Sequence, residues 1–103
     1  MKDIYQWIDA HADEMLEELR TLLRQPSISA QKVGLEACAA MVEQMMLDAG
    51  ISDVRIYPTP GGPPLLYGRV PGERATTLLG YAHYDVQPPG PDEAWHSPPF
   101  SAE

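Results

Sequence analysis

The sequence predicts an α/β fold in which two N-terminal helices precede three strands of a larger mixed sheet. Along the first half of the chain, apolar residues recur at steps of three and four, the period of an amphipathic helix. After Gly50 the apolar period shortens to two, which is typical of a strand with one face in water. Helices followed by strands, with no internal repeat, indicate one α/β unit over residues 1–103.

The first predicted helix runs from about Ile4 to Arg24. Its apolar side chains share one face of the helix, and they are Ile4, Trp7, Ile8, Met15, Leu19, Leu22 and Leu23. Pro26 ends the helix, because the residue before a proline is driven out of the helical region. The opposite face is acidic, and we interpret it as a solvated surface rather than a cation site.

The second predicted helix spans about Val33 to Ala49. Its buried stripe is formed by small and sulfur-containing residues together with aliphatic ones, namely Leu35, Cys38, Ala39, Val42, Met45, Met46 and Ala49. Gly50 suits the left-handed position that follows a helix, and Ile51 is predicted to close over the last turn.

Three segments have the pattern of strands: residues 53–57, 65–70 and 76–82. Pro71 and Gly72 have the chemistry of a type II turn, so the third strand should return antiparallel to the second. The third segment does not alternate between polar and apolar residues. That pattern predicts burial on both faces inside a larger sheet.

Composition excludes several classes of function. The 15 acidic residues outnumber the 7 basic ones, and a net charge of −8 argues against nucleic-acid partners. No apolar run approaches the roughly 20 residues that span a bilayer, so we expect no membrane partner. The single cysteine, Cys38, permits no internal disulfide, and the N-terminus lacks the apolar core of a signal peptide. These features favour a cytoplasmic protein.

The candidate site residues lie in the segment around His83 and Asp85. It follows an apolar strand, and ligand sites in open α/β sheets lie at the carboxyl ends of strands. His83 and Asp85 are two residues apart, so both side chains point the same way in an extended backbone. A carboxylate beside a ligating imidazole sets its tautomer and orientation. The spacing suits a metal-ligand histidine with a supporting acid, but a single His-x-Asp pair is a weak signal because such pairs occur often by chance.

Each residue of this segment and of the proline-rich loop also has a purely structural interpretation. A histidine at a strand end is often structural, and Asp85 could cap a turn after the strand. Tyr84 receives no role. His96 is interpreted as a surface residue, and Trp95 as an anchor that pins its proline-rich loop to the body of the protein.

The string from His83 to Pro88, His-Tyr-Asp-Val-Gln-Pro, is followed downstream by Trp-His-Ser-Pro-Pro-Phe ending at Phe100. Together these strings resemble the first signature of the M20 metallopeptidases. The Tyr-Asp-Val-Gln-Pro variant is most similar to the dipeptidase, or carnosinase-like, branch of that family. The resemblance extends over residues 1–103, which would form the N-terminal part of an incomplete zinc-peptidase catalytic domain, with the remainder and the lid domain absent.

The resemblance implies a role for two residues. His83 matches the histidine that binds one zinc of a two-zinc centre, and Asp85 matches the catalytic acid beside it. Imidazole and carboxylate also suit cobalt or manganese. The family's bridging aspartate, general-base glutamate and remaining ligands have no counterpart in this chain. A catalytic zinc normally takes three protein ligands, so the isolated chain is not expected to be active.

The implied reaction of a complete protein is zinc-dependent hydrolysis of an amide bond in a dipeptide or small peptide. Two other functions stay open: a deacylase of N-acyl amino acids from the same family, and a non-catalytic truncated interaction module. The resemblance also implies a homodimer formed through the missing lid domain.

Overall fold

Three helices and two strands organise the chain, and a computed structural model describes all of its residues, 1–103. The chain divides into one unit of residues 1–25 with 89–103 and a second unit of residues 26–88. Short 3₁₀ turns occupy Ser29–Gln31 and Asp92–Ala94. The regular elements are α1 (Lys2–Ala10), α2 (Ala12–Arg24), α3 (Leu35–Asp48), β1 (Asp53–Tyr57) and β2 (Leu65–Arg69).

In the first unit, the helix predicted to be continuous is broken at His11. This residue takes φ −114° and ψ 11°, outside the helical region. Its Nδ1 atom lies 2.7 Å from the carbonyl oxygen of Trp7, and its ring stacks on the indole of Trp7 with centroids 4.2 Å apart. A side chain that competes for a helical carbonyl bends the helix at that point. The prediction of a single helix is therefore wrong, although its end at Arg24 is confirmed.

The apolar face of α1 and α2 lies open to solvent, and neither helix contains a buried residue. Ile4 is 61% exposed and Leu19 is 50% exposed. The helices are instead held by polar contacts near the end of α2. Arg24 pairs with Glu17 at 2.5 Å and donates from Nε to the carbonyl of Ser101 at 3.3 Å. None of the chain's helices is long and apolar enough to cross a membrane.

The loop of residues 89–103 is held by Trp95 in a way that differs from the prediction. Its indole Nε1 donates to the carbonyl of Pro89 at 2.9 Å, and its side chain stays half exposed. Trp95 therefore ties the loop to itself instead of pinning it to a buried core.

In the second unit, α3 begins and ends at glycines with positive φ. Gly34 has φ 71° just before the helix, which explains why α3 begins two residues later than predicted. Gly50 has φ 86° after the helix. The amide of Gly50 donates to the carbonyl of Leu47 at 2.9 Å. The amide of Ile51 donates to the carbonyl of Met46 at 3.0 Å. This pattern is a Schellman motif, so the predicted helix end is confirmed.

Strands β1 and β2 form a two-stranded antiparallel sheet, with Asp53 opposite Arg69 and Tyr57 opposite Leu65. Both strands agree with the prediction to within one residue. Helix α3 packs on this sheet at Gly68, where a side chain would collide with Met46 and lie 3.0 Å from Cγ2 of Ile51. The absence of a side chain at this position lets helix and sheet approach closely.

The predicted third strand is wrong. Residues 71–82 contain no regular structure, and none of the backbone hydrogen bonds outside helices and strands involves them. Leu78 is 96% exposed and Tyr81 is 90% exposed, so the expected burial on both faces is wrong as well. A strand is stable only when a neighbour pairs with its backbone, and β2 is paired with β1 alone. The larger mixed sheet is not formed.

The core of the second unit is small. Its buried apolar side chains are Ile28, Cys38 and Ala39, at 5% exposure or less. Of the stripe predicted for the second helix, only Cys38 and Ala39 are buried. This core lies beside the segment that carries His83 and Asp85. The Sγ atom of Cys38 is 3.9 Å from the carbonyl oxygen of Tyr84.

Replacement of Gly68 by alanine should destabilise the second unit. The new methyl group overlaps Met46 and crowds Ile51, and overpacking of this kind costs about 1–2 kcal/mol after the flexible methionine has moved aside. Urea unfolding followed by circular dichroism measures the effect. The matched control is Gly72→Ala, because an added methyl group there meets nothing within 4 Å. Equal urea midpoints of unfolding for the two variants would contradict the close packing of helix and sheet at Gly68.

Candidate metal site

The candidate site is built where two separate segments of the second unit meet. The amide of Val86 donates to the carbonyl of Ser27 at 2.8 Å, and Ile28 forms a parallel bridge with Val86. Ile28 also bridges to Val33, with which it exchanges two backbone hydrogen bonds of 2.8 and 3.1 Å. The segment of residues 83–88 is thus held by a short strand-like contact, and not by the end of a long buried strand as predicted.

The structure brings the side chains of His83 and Asp85 together. The Nδ1 atom of His83 lies 3.2 Å from Oδ1 of Asp85 and 3.0 Å from the backbone oxygen of Asp85. Both oxygens are acceptors when the carboxyl is ionised, so Nδ1 carries the proton of the neutral ring. The lone pair then belongs to Nε2. The imidazole is 71% exposed, which leaves this nitrogen accessible.

The Asp85 carboxyl is held in its ionised form. A hydrogen bond from the hydroxyl of Ser29 is the strongest influence that lowers the pKa of Asp85, and the hydrogen bond from His83 lowers it further. An ionised carboxylate next to an Nδ1–H group favours the tautomer that presents Nε2 to a metal.

Tyr84 points into the protein, between the two exposed site residues. Its hydroxyl donates to the carbonyl of buried Pro64 at 2.6 Å, and its own carbonyl faces the thiol of Cys38. Burial is the main cause that raises the pKa of Tyr84, followed by the nearby acidic groups of Cys38, Glu36 and Asp85. The sequence interpretation gave this residue no role. The alternation of the backbone already indicated that its side chain opposes those of His83 and Asp85.

Two serines of the site were also missed. Ser29 is the largest influence on the lowered pKa of Asp85, whereas Ser27 is buried at 2% exposure and its hydroxyl has no hydrogen-bond partner. The signal was the order polar, apolar, polar in Ser27, Ile28 and Ser29, which is typical of a short strand.

The residues present fit one ligand position of a zinc centre. An imidazole whose Nδ1 proton is held by a carboxylate is the usual form of a zinc-binding histidine. A catalytic zinc takes three protein ligands, and no group of three or more histidine, cysteine, aspartate or glutamate residues in this chain is placed to hold a metal ion. His83 therefore fits as a single ligand, and Asp85 as its support.

Comparison with known proteins identifies relatives over most of the chain. The probable di- and tripeptidase DUG2 of Saccharomyces cerevisiae is 30% identical over 112 aligned residues, which cover 94% of this chain. The succinyl-diaminopimelate desuccinylases of Maricaulis maris and Methylorubrum extorquens are 38% and 34% identical, each over 82% of this chain. No family model matches the chain, and no solved structure matches it significantly.

A peptidase and desuccinylases are both hydrolases, so the chain is similar to enzymes of the hydrolytic class. Both kinds of enzyme are members of the M20 family, and the chain is similar to members of that family over most of its own length. The chain spans 13%, 20% and 22% of the lengths of these three relatives.

Removal of the Tyr84 hydroxyl should weaken the support of the site. Tyr84→Phe leaves the buried carbonyl of Pro64 without its donor, which costs about 1–2 kcal/mol of unfolding free energy. Urea unfolding at neutral pH measures this loss. Tyr81→Phe is the matched control, because Tyr81 is 90% exposed and its hydroxyl should contribute almost nothing.

The same pair of variants has an expected pH dependence. Because the pKa of Tyr84 is raised in the folded chain, the unfolded chain ionises first, near pH 10. Tyr84 therefore contributes its full stabilisation below about pH 10, and that stabilisation is lost as the pH rises through the folded value. Tyr84→Phe should reduce the loss of unfolding free energy that accompanies the rise of pH above about 10. An unchanged decline in the variant would contradict the assignment to Tyr84.

Proposed function

We propose that this chain is the N-terminal, ligand-bearing part of a di-zinc hydrolase that cleaves amide bonds in dipeptides or small peptides. The observation that carries the proposal is the contact between Nδ1 of His83 and the Asp85 carboxylate, which leaves an exposed Nε2 lone pair. The relationship to the di- and tripeptidase of yeast supports the substrate class.

In this proposal His83 is a ligand of one zinc through Nε2, and Asp85 holds the proton on Nδ1. The exposed ring can meet ligands from other parts of a larger polypeptide without a rearrangement of its own segment. When bound, zinc supplies Lewis-acid polarisation of the scissile carbonyl and lowers the pKa of a water molecule. Cobalt or manganese would be accepted by the same donors.

The chain alone is proposed to be inactive. It supplies one imidazole, and a catalytic zinc requires more protein ligands than that. The relatives are about four times as long as this chain or more, which leaves room in a complete enzyme for the general base, the remaining ligands and a lid domain that mediates dimerisation. The buried free thiol of Cys38 agrees with a cytoplasmic location.

A deacylase of N-acyl amino acids is the second candidate. It is favoured by the desuccinylases of Maricaulis maris and Methylorubrum extorquens, which are more identical to this chain than the peptidase is. The mechanism and the role of His83 would be the same in both enzymes. Only the group on the acyl side of the scissile amide bond differs.

The test uses a longer polypeptide that carries this segment, loaded with Zn²⁺ and assayed on dipeptides and on N-succinyl amino acids. We expect amide hydrolysis that a chelator abolishes. Asp85→Ala should lower activity and zinc affinity about 10–100-fold, as is usual for the partner of a ligating histidine, and His83→Ala should lower them further.

His96→Ala is the matched control, because His96 is an exposed histidine of the proline-rich loop and should leave both quantities unchanged. Preference for N-succinyl substrates would select the deacylase. Full activity of His83→Ala would exclude the metal-ligand role, and so would tight Zn²⁺ binding that the 103-residue chain retains after this substitution.

A further inference from the structure

The large apolar side chains of α1 and α2 form one face of a helix that is interrupted at His11. Backbone hydrogen bonds continue across the interruption, from the amide of His11 to the carbonyl of Trp7 at 3.1 Å and from the amide of Met15 to the carbonyl of His11 at 3.0 Å. The two helices therefore stay bonded end to end, and their apolar residues recur at the spacing of a single helical face. The members of this apolar face are Ile4, Trp7, Ile8, Met15, Leu19 and Leu23.

The apolar face is open to solvent along its whole length. The exposed fraction of its side chains ranges from 39% at Ile8 to 61% at Ile4, and neither helix contains a buried residue. Single apolar residues are ordinary on a protein surface, whereas a continuous apolar stripe over two helices marks a surface that another element covers. The apolar face therefore has the character of a docking surface, and the charges around it indicate the chemistry of its partner.

On the side of α2 away from the apolar face, the acidic charge is already paired. Glu17 forms ion pairs with Arg20, at 3.7 Å, and with Arg24. Glu17 is two residues from Leu19, a separation that puts two helical side chains on different faces. The carboxylate of Glu17 is thus satisfied within the helix and needs no partner from outside.

The edge of the apolar face carries acids without such partners. Glu14 and Glu18 are exposed and form no ion pair. They are four residues apart, so they are neighbours on the helix surface and their like charges repel. Glu18 lies three residues after Met15 and four before Leu22, so this acidic pair borders the apolar face. An apolar stripe with two unpaired carboxylates at its edge is complementary to an apolar groove with a basic rim.

We propose that the apolar face of α1 and α2 docks into an apolar groove on another part of a longer polypeptide, with lysine or arginine side chains on the rim that faces Glu14 and Glu18. The inference shares with the proposed function the premise of a longer polypeptide, and it assigns a surface that the zinc site does not use. The three relatives align with 82–94% of this chain, yet the chain spans only 13–22% of their lengths. A groove in the same polypeptide meets the apolar face at a high effective concentration.

The charges disfavour two other occupants. A second copy would bring another acidic pair and another net charge of −8 to the apolar face, and like charges oppose association. Helices that lie on anionic membranes carry lysine and arginine on their polar side, whereas Glu14 and Glu18 would be repelled by anionic lipid headgroups. A basic rim instead relieves the repulsion between these two carboxylates.

The test compares rates of thiol labelling in the 103-residue chain and in a longer polypeptide that carries it. Leu19→Cys places a thiol on the apolar face. Gln6→Cys is the matched control, because Gln6 is exposed and lies two residues from both Ile4 and Ile8, off that face. Mass spectrometry of the labelled peptides separates these thiols from the buried Cys38. We expect similar rates in the 103-residue chain, whereas in the longer polypeptide Leu19→Cys should label about tenfold more slowly and Gln6→Cys should keep its rate.

The basic rim is tested by replacing both acids. In the longer polypeptide, joint Glu14→Gln and Glu18→Gln substitution should raise the labelling rate of Leu19→Cys about threefold or more, because the ion pairs with the rim are lost. Asp13→Asn is the matched control, since Asp13 is an exposed acid two residues from Met15 and therefore off the apolar face. This control should leave the labelling rate unchanged.

Each outcome decides the question. Equal labelling of Leu19→Cys in the two polypeptides overturns the docking surface, and an unchanged rate in the double glutamine variant overturns the basic rim. If the rate in the 103-residue chain falls with protein concentration while sedimentation shows a dimer, the occupant is a second copy and the proposal is wrong. Should Leu19→Cys disrupt the longer polypeptide, hydrogen exchange of residues 12–24 in the wild type decides, and exchange as fast as in the 103-residue chain overturns the proposal.

Amide hydrolysis by the same longer polypeptide separates this inference from the proposed function. Intact hydrolysis without protection of the apolar face overturns the docking surface alone. Protection of the apolar face without hydrolysis overturns the proposed function alone.

Discussion

The candidate site depends on one backbone hydrogen bond, from the amide of Val86 to the carbonyl of Ser27. It joins two segments that are far apart in the sequence, and it lies next to the small buried cluster of Ile28, Cys38 and Ala39. Every contact of the site follows from this junction. Asp85 reaches His83, while Tyr84 is directed inward to Pro64.

The elements with local causes were predictable from the sequence. The end of α3 at Gly50 depends on a residue with positive φ, and the β1–β2 pair depends on a period of two. The proximity of His83 and Asp85 was also a local matter of spacing. The predictions that were wrong involve a side chain that competes for a helical carbonyl or a contact between residues far apart in the sequence. The ring of His11 competes for the carbonyl of Trp7, and no residue pattern showed that this interaction would interrupt a periodic helix.

The predicted third strand failed because a strand needs a neighbour, and sequence periodicity describes only the strand itself. Ser29 escaped notice for a related reason. It lowers the pKa of Asp85, which lies in another segment that meets it only after Ile28 and Val86 have paired. The sequence supplied the histidine and the acid, whereas the pairing of their segment with Ser27 and Ile28 emerged from the tertiary structure. The metal-ligand role of His83 stays a prediction.

The open segment of residues 71–82 has a consequence for the behaviour of the chain in concentrated solution. Three of its apolar side chains are almost fully exposed, those of Leu78, Leu79 and Tyr81. The backbone of this segment has hydrogen-bond donors and acceptors that are available to another molecule. Such a stretch is a template for intermolecular strand pairing, which grows with protein concentration. The net charge of −8 opposes it through mutual repulsion, so added salt should promote clustering by screening that repulsion.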